Sequence, residues 1–121
     1  MSDYVVMFPA DRETEWEAGS EADHQAVYDT DLEFGRLLAQ RGGRITGGAE
    51  LATARRTHVV RRGPNGTALV TDGPYAESAE QLSGFYLVSI DDEQALLDAA
   101  QVLVHAHHAV EIRPIESQGD D

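Results

Sequence analysis

Three side chains in the sequence could move protons, namely Asp72, Asp31 and His24. Asp72 precedes Gly73-Pro74, so its carboxylate could face a ligand in a cleft or, alternatively, cap the turn by accepting backbone N–H bonds. Asp31 could pair with Asp72, with one of the two carboxyl groups protonated and acting as the acid. His24 is a candidate base and, alternatively, an ordinary histidine on the exposed side of a helix.

Four further residues are candidates for contact with a ligand. Tyr75, Tyr4 and Tyr86 could line a cleft for a cyclic compound, or they could be core residues, since aromatic side chains on strands commonly pack inside. Glu77 follows a proline in a segment that favours a short helical turn. Together with Asp72, these residues predict a small-molecule site in a cleft of the sheet.

A histidine cluster lies near the end of a predicted helix at His105, His107 and His108. The first and last of these are one helical turn apart and could share an ion, but no carboxylate stands at a spacing that completes a known metal motif. Their alternative role is a favourable position at a helix C-terminus. We therefore predict no metal and no cofactor. The chain has neither Cys nor Lys, which excludes thiolate and Schiff-base catalysis.

The charge of the chain restricts its partners. The chain has 22 acidic residues and nine basic ones, all of them Arg, so its net charge is −13. Such a surface repels phosphate backbones and anionic lipids, so we expect neither nucleic-acid nor membrane binding. The N-terminus shows no signal-peptide pattern, and together with the absence of Cys this predicts a cytoplasmic location.

The first part of the chain predicts a strand followed by a loop. Residues 4–8 form a nearly continuous apolar run that ends at Pro9 and is typical of a central strand buried on both faces. Residues 10–22 are polar and acidic and are expected to form a loop around Trp16. Trp16 could anchor this loop on the core or act as a flap over a pocket.

A long helix is predicted from Ser20 or Ala22 to about Gln40. Ser20 is a suitable N-cap because its hydroxyl can accept a backbone N–H bond from the first turn. The helix would place His24 and Asp31, which are seven residues apart, on a common face.

The rest of the chain predicts further strands and a second helix. The predicted strands are 44–51, 57–62, 67–71, 84–90 and 109–115, and the predicted helix runs from Asp91 to Val104. Gly63-Pro64-Asn65-Gly66 indicates a hairpin, because Asn-Gly supplies the positive φ angles of the turn.

This order of elements predicts an α+β fold with a ferredoxin-like antiparallel sheet and two main helices on one face. The other face would be apolar, so we expect a homodimer that buries sheet against sheet. We predict one domain over residues 1–116 and a loose acidic tail over residues 117–121.

One long motif resembles a known family. It reads Val70-Thr71-Asp72-Gly73-Pro74-Tyr75-Ala76-Glu77 and continues as Glu80-Gln81-Leu82-Ser83-Gly84-Phe85-Tyr86-Leu87. This resembles the signature of the DGPF family within the YCII-related superfamily, with Tyr75 where the family name has Phe. The runs at 47–51 and 110–114 are similar to the same family. The resemblance covers most of the chain and implies a dimeric α+β barrel of ferredoxin-like subunits.

The resemblance implies two kinds of function. DGPF-type proteins are associated with extracytoplasmic-function sigma factors, which implies a small-molecule-binding protein of unknown specific activity with an accessory or regulatory role. Another superfamily branch resembles lactone isomerases and includes a dehydrochlorinase. This implies, as the alternative, a cofactor-free lyase or isomerase that transfers a proton on a small cyclic or carbonyl compound.

The resemblance also implies an acid–base pair between a histidine on the first long helix and an aspartate. Counting back from Gly47-Gly48, that helix position is close to Asp31 in this chain. His24 lies seven residues earlier, which displaces its imidazole by roughly 10 Å along the helix. His24 therefore does not take the place of the superfamily histidine.

Overall fold

The computed structural model describes residues 2–10, 13–73 and 82–116. Its elements are β1 (Ser2–Pro9), α1 (Glu13–Ala18), α2 (Glu21–Gln40), β2 (Arg44–Glu50), β3 (His58–Arg62), β4 (Ala68–Asp72), β5 (Leu82–Ile90), α3 (Glu93–Ala100) and β6 (Glu111–Pro114). In these segments no helix is both long and apolar enough to cross a membrane.

Four strands form an antiparallel sheet in the order β2-β5-β1-β6. Two interleaved β-α-β units produce this order, which is the ferredoxin-like arrangement. Strands β3 and β4 form a separate two-stranded hairpin, inserted between β2 and β5. The predicted α+β ferredoxin-like fold is therefore confirmed.

The core lies between the helices and one face of the sheet. Its larger buried residues are Tyr4, Val6 and Phe8 of β1, Val88 and Ile90 of β5, Phe34 and Leu38 of α2, Leu96 of α3, and Leu103. Successive side chains of a strand point to opposite faces, so Val5 and its register partner Leu87 lie on the face away from the helices. Both are only half-buried.

A capping box begins helix α2 at the predicted residue. The Ser20 hydroxyl accepts a hydrogen bond from the backbone N–H of Asp23 at 3.1 Å, and the Asp23 carboxylate accepts one from the Ser20 N–H at 2.9 Å. The Ser20 backbone N–H, followed by its hydroxyl, lowers the pKa of Asp23. This cap defines where the helix that carries His24 and Asp31 begins.

Two segments differ from the sequence prediction. The expected loop at residues 10–22 contains the short helix α1. The α-helix expected to reach Val104 ends at Ala100 and continues as a 3₁₀ turn from Gln101 to His105. A 3₁₀ turn is tighter than an α-helix and commonly ends one. The chain then reverses, because the N–H groups of Ala106 and His107 both donate to the carbonyl oxygen of Leu103.

Candidate functional site

A cleft of about 810 Å³ opens beside the first half of α2, at the ends of β1 and β2 and the start of β5. Its volume is in the range that holds small organic molecules. The titratable groups that line it are Glu17, His24, Tyr28, Asp31, Glu50, Tyr86 and His107.

Asp31 connects two other side chains at the inner wall of this cleft. Its Oδ2 accepts a hydrogen bond from the Tyr86 hydroxyl at 2.8 Å, and its Oδ1 lies 3.3 Å from Nε2 of His107. The side chains of Asp31 and His107 are 17% and 20% exposed, so water only partly screens their interaction. A carboxylate can only accept, so it places the hydrogen on Nε2 and the lone pair of neutral His107 on Nδ1.

The other contacts of His107 and Tyr86 hold both rings in position. The His107 ring packs against Phe8 with ring centroids 4.4 Å apart, and the Tyr86 ring meets Phe8 edge-on at 5.5 Å. Burial, and then the hydrogen bond and charge of Asp31, raise the pKa of Tyr86 far above its usual value. Tyr86 therefore remains a phenol that donates to Asp31 and orients the carboxylate.

A second carboxylate lies at the end of β2. The Tyr28 hydroxyl donates to Oε2 of Glu50 at 3.3 Å. Burial, followed by the charge of Glu50, raises the pKa of Tyr28. Gly48, two residues before Glu50, has a φ of 146°, and a Cβ at that position would overlap the carbonyl oxygen of Phe85. Only glycine lets β2 approach β5 this closely, so Gly48 positions Glu50 at the cleft.

Helix α1 is attached to its neighbours through Trp16 and Glu17. Nε2 of His24 lies 2.7 Å from the carbonyl oxygen of Trp16, and the two rings stack with centroids 3.8 Å apart. The next residue of α1, Glu17, pairs with the Arg55 guanidinium at 2.9 Å. Trp16 also lines the cleft.

A family model of the YCII-related domain matches residues 4–117, which is nearly the whole chain. The chain belongs to the YCII-related family. It is also similar to an uncharacterized protein of Rhizobium meliloti (strain 1021), with 42% identity over 53 residues. That match covers 41% of this chain and 43% of the relative, so it spans less than half of either protein. The narrower DGPF assignment stays a prediction.

The structure of this YCII-related protein brings two of the three predicted acid–base groups to one cleft. Asp31 and His24 both line it. Asp72 ends β4 on the hairpin, where its side chain is 92% exposed and its Oδ1 lies 3.0 Å from Nδ1 of His58. Among the residues that the structure describes, the cleft lining does not include Asp72.

Of the four predicted ligand-binding residues, the described cleft lining includes one. Tyr86 lines the cleft of the YCII-related chain, while Tyr4 lies outside the described lining and is buried near the start of β1. Burial, followed by the charge of Glu93, raises the pKa of Tyr4. Tyr75 and Glu77 lie outside the described residues.

In the sequence, His107 of this YCII-related site is a candidate for part of a metal cluster or for a histidine at a helix C-terminus, and not for a partner of Asp31. It meets Asp31 across 76 positions of the chain, and that contact depends on the reversal after Leu103. The helix position implied for the superfamily histidine thus carries the aspartate, and the imidazole comes from the segment after α3. Across the described residues, no group of three or more His, Cys, Asp or Glu side chains is arranged to hold a metal ion.

Proposed function

We propose that this protein binds a small cyclic or carbonyl compound in the cleft and transfers a proton on it without a cofactor. The observation that carries the proposal is the 3.3 Å contact between His107 and Asp31 in the wall of the cleft. A carboxylate that accepts from one imidazole nitrogen makes the other nitrogen a competent base, because the carboxylate stabilises the imidazolium that forms.

The proton transfer follows from the roles of the three side chains. Nδ1 of His107 takes a proton from a carbon next to a carbonyl group, and the electrons of that C–H bond enter the conjugated carbonyl system. Asp31 stabilises the imidazolium through its Nε2–H, while Tyr86 holds the carboxylate in position. The same imidazolium returns the proton to another atom of the bound compound in an isomerisation. In a lyase reaction, the electron pair instead expels a leaving group from the neighbouring carbon.

A pure binding role is the other function that the cleft could support. That role predicts a cleft without a closely spaced histidine and carboxylate, whereas His107 and Asp31 lie within contact distance. The proton-transfer role is therefore the better supported of the two. The accessory role with sigma-factor systems and the cytoplasmic location remain predictions from the sequence.

The decisive experiment is proton exchange with solvent. In D₂O, cyclohexanone, cyclopentenone and a butenolide would be incubated separately with the protein, and deuterium at the carbon next to the carbonyl would be followed by NMR. We expect exchange above the buffer rate for at least one compound, and its loss in Asp31→Asn and His107→Gln. Binding of these compounds without any exchange would restrict the cleft to a binding role.

A matched control lies on the same helix. Asp29 is exposed and accepts a hydrogen bond from Gln25, away from the cleft lining. Asp29→Asn makes the same chemical change as Asp31→Asn, so it should leave the exchange rate unchanged. Equal losses in the two variants would point to a general charge effect and against an acid–base pair.

We also propose a homodimer formed through the sheet face opposite the helices. Val5 and Leu87 lie opposite each other on that face and are half-buried in the single chain. Half-exposed apolar residues in the middle of a sheet favour association with a second apolar surface.

A further inference from the structure

The charges around the cleft are unbalanced. Three carboxylates line it, at Glu17, Asp31 and Glu50, whereas none of the described lining residues is an arginine. Arg55 pairs with Glu17 at the rim and offsets that charge. The chain contains no lysine that could supply another cation. Apart from the histidines His24 and His107, the ionisable groups that a ligand meets there are therefore dominated by the carboxylates Asp31 and Glu50.

These two carboxylates differ in the number of hydrogen-bond partners that they already have within the protein. One oxygen of Asp31 accepts a hydrogen bond from Tyr86, and its other oxygen lies next to His107. Among the side-chain hydrogen bonds between described residues, Glu50 accepts one, from Tyr28. Glu50 is exposed and has acceptor capacity left for a ligand at the mouth of the cleft.

Tyr28, whose hydroxyl donates to Glu50, also contacts a second aromatic ring. The rings of Trp16 and Tyr28 meet at 78° with centroids 5.9 Å apart, and both residues line the cleft. Aromatic faces attract ammonium groups through their quadrupole, and a neighbouring carboxylate adds a charge-assisted hydrogen bond. After burial, the charges of Glu50 and Asp31 raise the pKa values of Tyr28 and Tyr86, which agrees with an electronegative site.

We propose that the cleft selects small organic cations, such as amines and protonated nitrogen heterocycles, over neutral and anionic compounds of the same shape. Glu50 is the residue that determines this selection. An anionic ligand would bring its charge next to two carboxylates with no arginine in the described lining to receive it. The inference rests on the proposed function and adds to it that the cyclic or carbonyl compound carries an ammonium group.

The test uses three probes of similar size that differ in charge, namely benzylammonium, benzyl alcohol and benzoate. Trp16 is the only tryptophan of the chain and lines the cleft, so its fluorescence reports binding there. In dilute buffer at neutral pH, we expect benzylammonium to bind about tenfold more tightly than benzoate, as one charge-assisted contact would produce. The affinity of benzyl alcohol should lie between those of the two charged probes, and added salt should reduce the difference in affinity.

Two variants separate the role of Glu50 from a general charge effect. Glu50→Gln keeps the shape of the side chain and should reduce the tenfold preference to about threefold or less. Glu33→Gln removes the same charge from a residue of α2 that pairs with Arg36 and lies outside the described lining, so it should preserve the preference. A preference that survives Glu50→Gln would overturn the assignment of Glu50.

The remaining outcomes distinguish the two proposals. If the three probes bind equally, or benzoate binds best, charge selection is wrong while the cleft is still a ligand site. If no probe changes Trp16 fluorescence and ligand-observed NMR also detects no binding, the charge selection fails, and the proton-exchange experiment alone decides the proposed function.

Discussion

Nε2 of His107 lies 3.3 Å from Oδ1 of Asp31, although 76 positions separate the two residues in the chain. Tyr86 donates to the other oxygen of the same carboxylate at 2.8 Å. Helix α2, strand β5 and the segment after α3 thus each contribute one side chain to a single hydrogen-bonded group. This relationship makes the cleft a candidate for proton transfer as well as for binding.

The Asp31–His107 contact should be measurable as a coupling in folding stability. We expect Asp31→Asn and His107→Gln each to lower the free energy of unfolding. The double variant should lower it by less than the sum of the two single variants. For a partly buried pair, the coupling should be about 0.5–2 kcal/mol in a double-mutant cycle measured by urea unfolding. Strict additivity would show that the two side chains do not interact in solution.

The phenol of Tyr86 should resist ionisation in the folded protein. Because its pKa is raised by burial and by Asp31, folding favours the protonated form. Its contribution to the unfolding free energy should be complete below about pH 10, the ordinary tyrosine value, and should be lost as the pH rises further. The unfolding free energy should therefore fall less between about pH 9 and 11 in the Tyr86→Phe variant than in the wild-type protein. In the wild type, the fall should begin at pH 10 to within about half a pH unit.

Tyr28 provides the comparison for that titration. Its pKa is also raised, but its residue is 42% exposed. Tyr28→Phe should change the alkaline loss of stability less than Tyr86→Phe does. Absorbance of tyrosinate checks the same point, because Tyr86→Phe should remove the component that ionises last. Equal effects of the two substitutions would contradict the buried position of Tyr86.

Gly48 should be among the positions least tolerant of alanine. Its φ is 146°, and an added Cβ would overlap the carbonyl oxygen of Phe85 and lie 3.0 Å from Cα of Tyr86. We expect Gly48→Ala to cost about 2–4 kcal/mol in thermal or urea unfolding. Gly66→Ala is the control, because Gly66 has a φ of 77° but no atom within 4 Å of the new Cβ. It should cost only about 1–2 kcal/mol.

The stacking of His24 on Trp16 should determine the fluorescence of the protein. The His24→Ala variant removes a ring 3.8 Å from Trp16 and the hydrogen bond to its carbonyl oxygen. Water should then reach the indole, and its emission maximum should shift to longer wavelength. His58→Ala, on the exposed hairpin, should leave the emission unchanged. An unshifted spectrum in His24→Ala would show that the stack does not form in solution.

The proposed dimer can be tested on the open sheet face. The Leu87→Glu variant places a charge at the centre of that face and should shift the molar mass from light scattering from dimer to monomer. Val60→Glu changes an exposed apolar residue of the hairpin and should leave the mass unchanged. A wild-type protein that is monomeric across the measured concentrations would refute the proposal.

Much of the fold could be predicted from the sequence because its signals are local. Ser20 caps α2 through its own first turn, and Asn65-Gly66 supplies the positive φ angles of the hairpin. The apolar runs of β1 and β5 identify the two central strands, and their side chains packed in the core are Tyr4, Val6, Phe8, Val88 and Ile90. The α-helical part of the second helix ends earlier than its apolar pattern predicts, because the change to a 3₁₀ turn after Ala100 depends on how Leu103 packs.

The candidate site could be predicted only in part. The helical spacing of His24 and Asp31 places both on the cleft side, and the sequence alone determines that spacing. The meeting of Asp31 with His107 and Tyr86 depends on the order of the strands and on the reversal after Leu103. Periodicity, capping and turn signals act over a few residues, whereas contacts across 55 and 76 positions arise only when the chain packs into its tertiary structure.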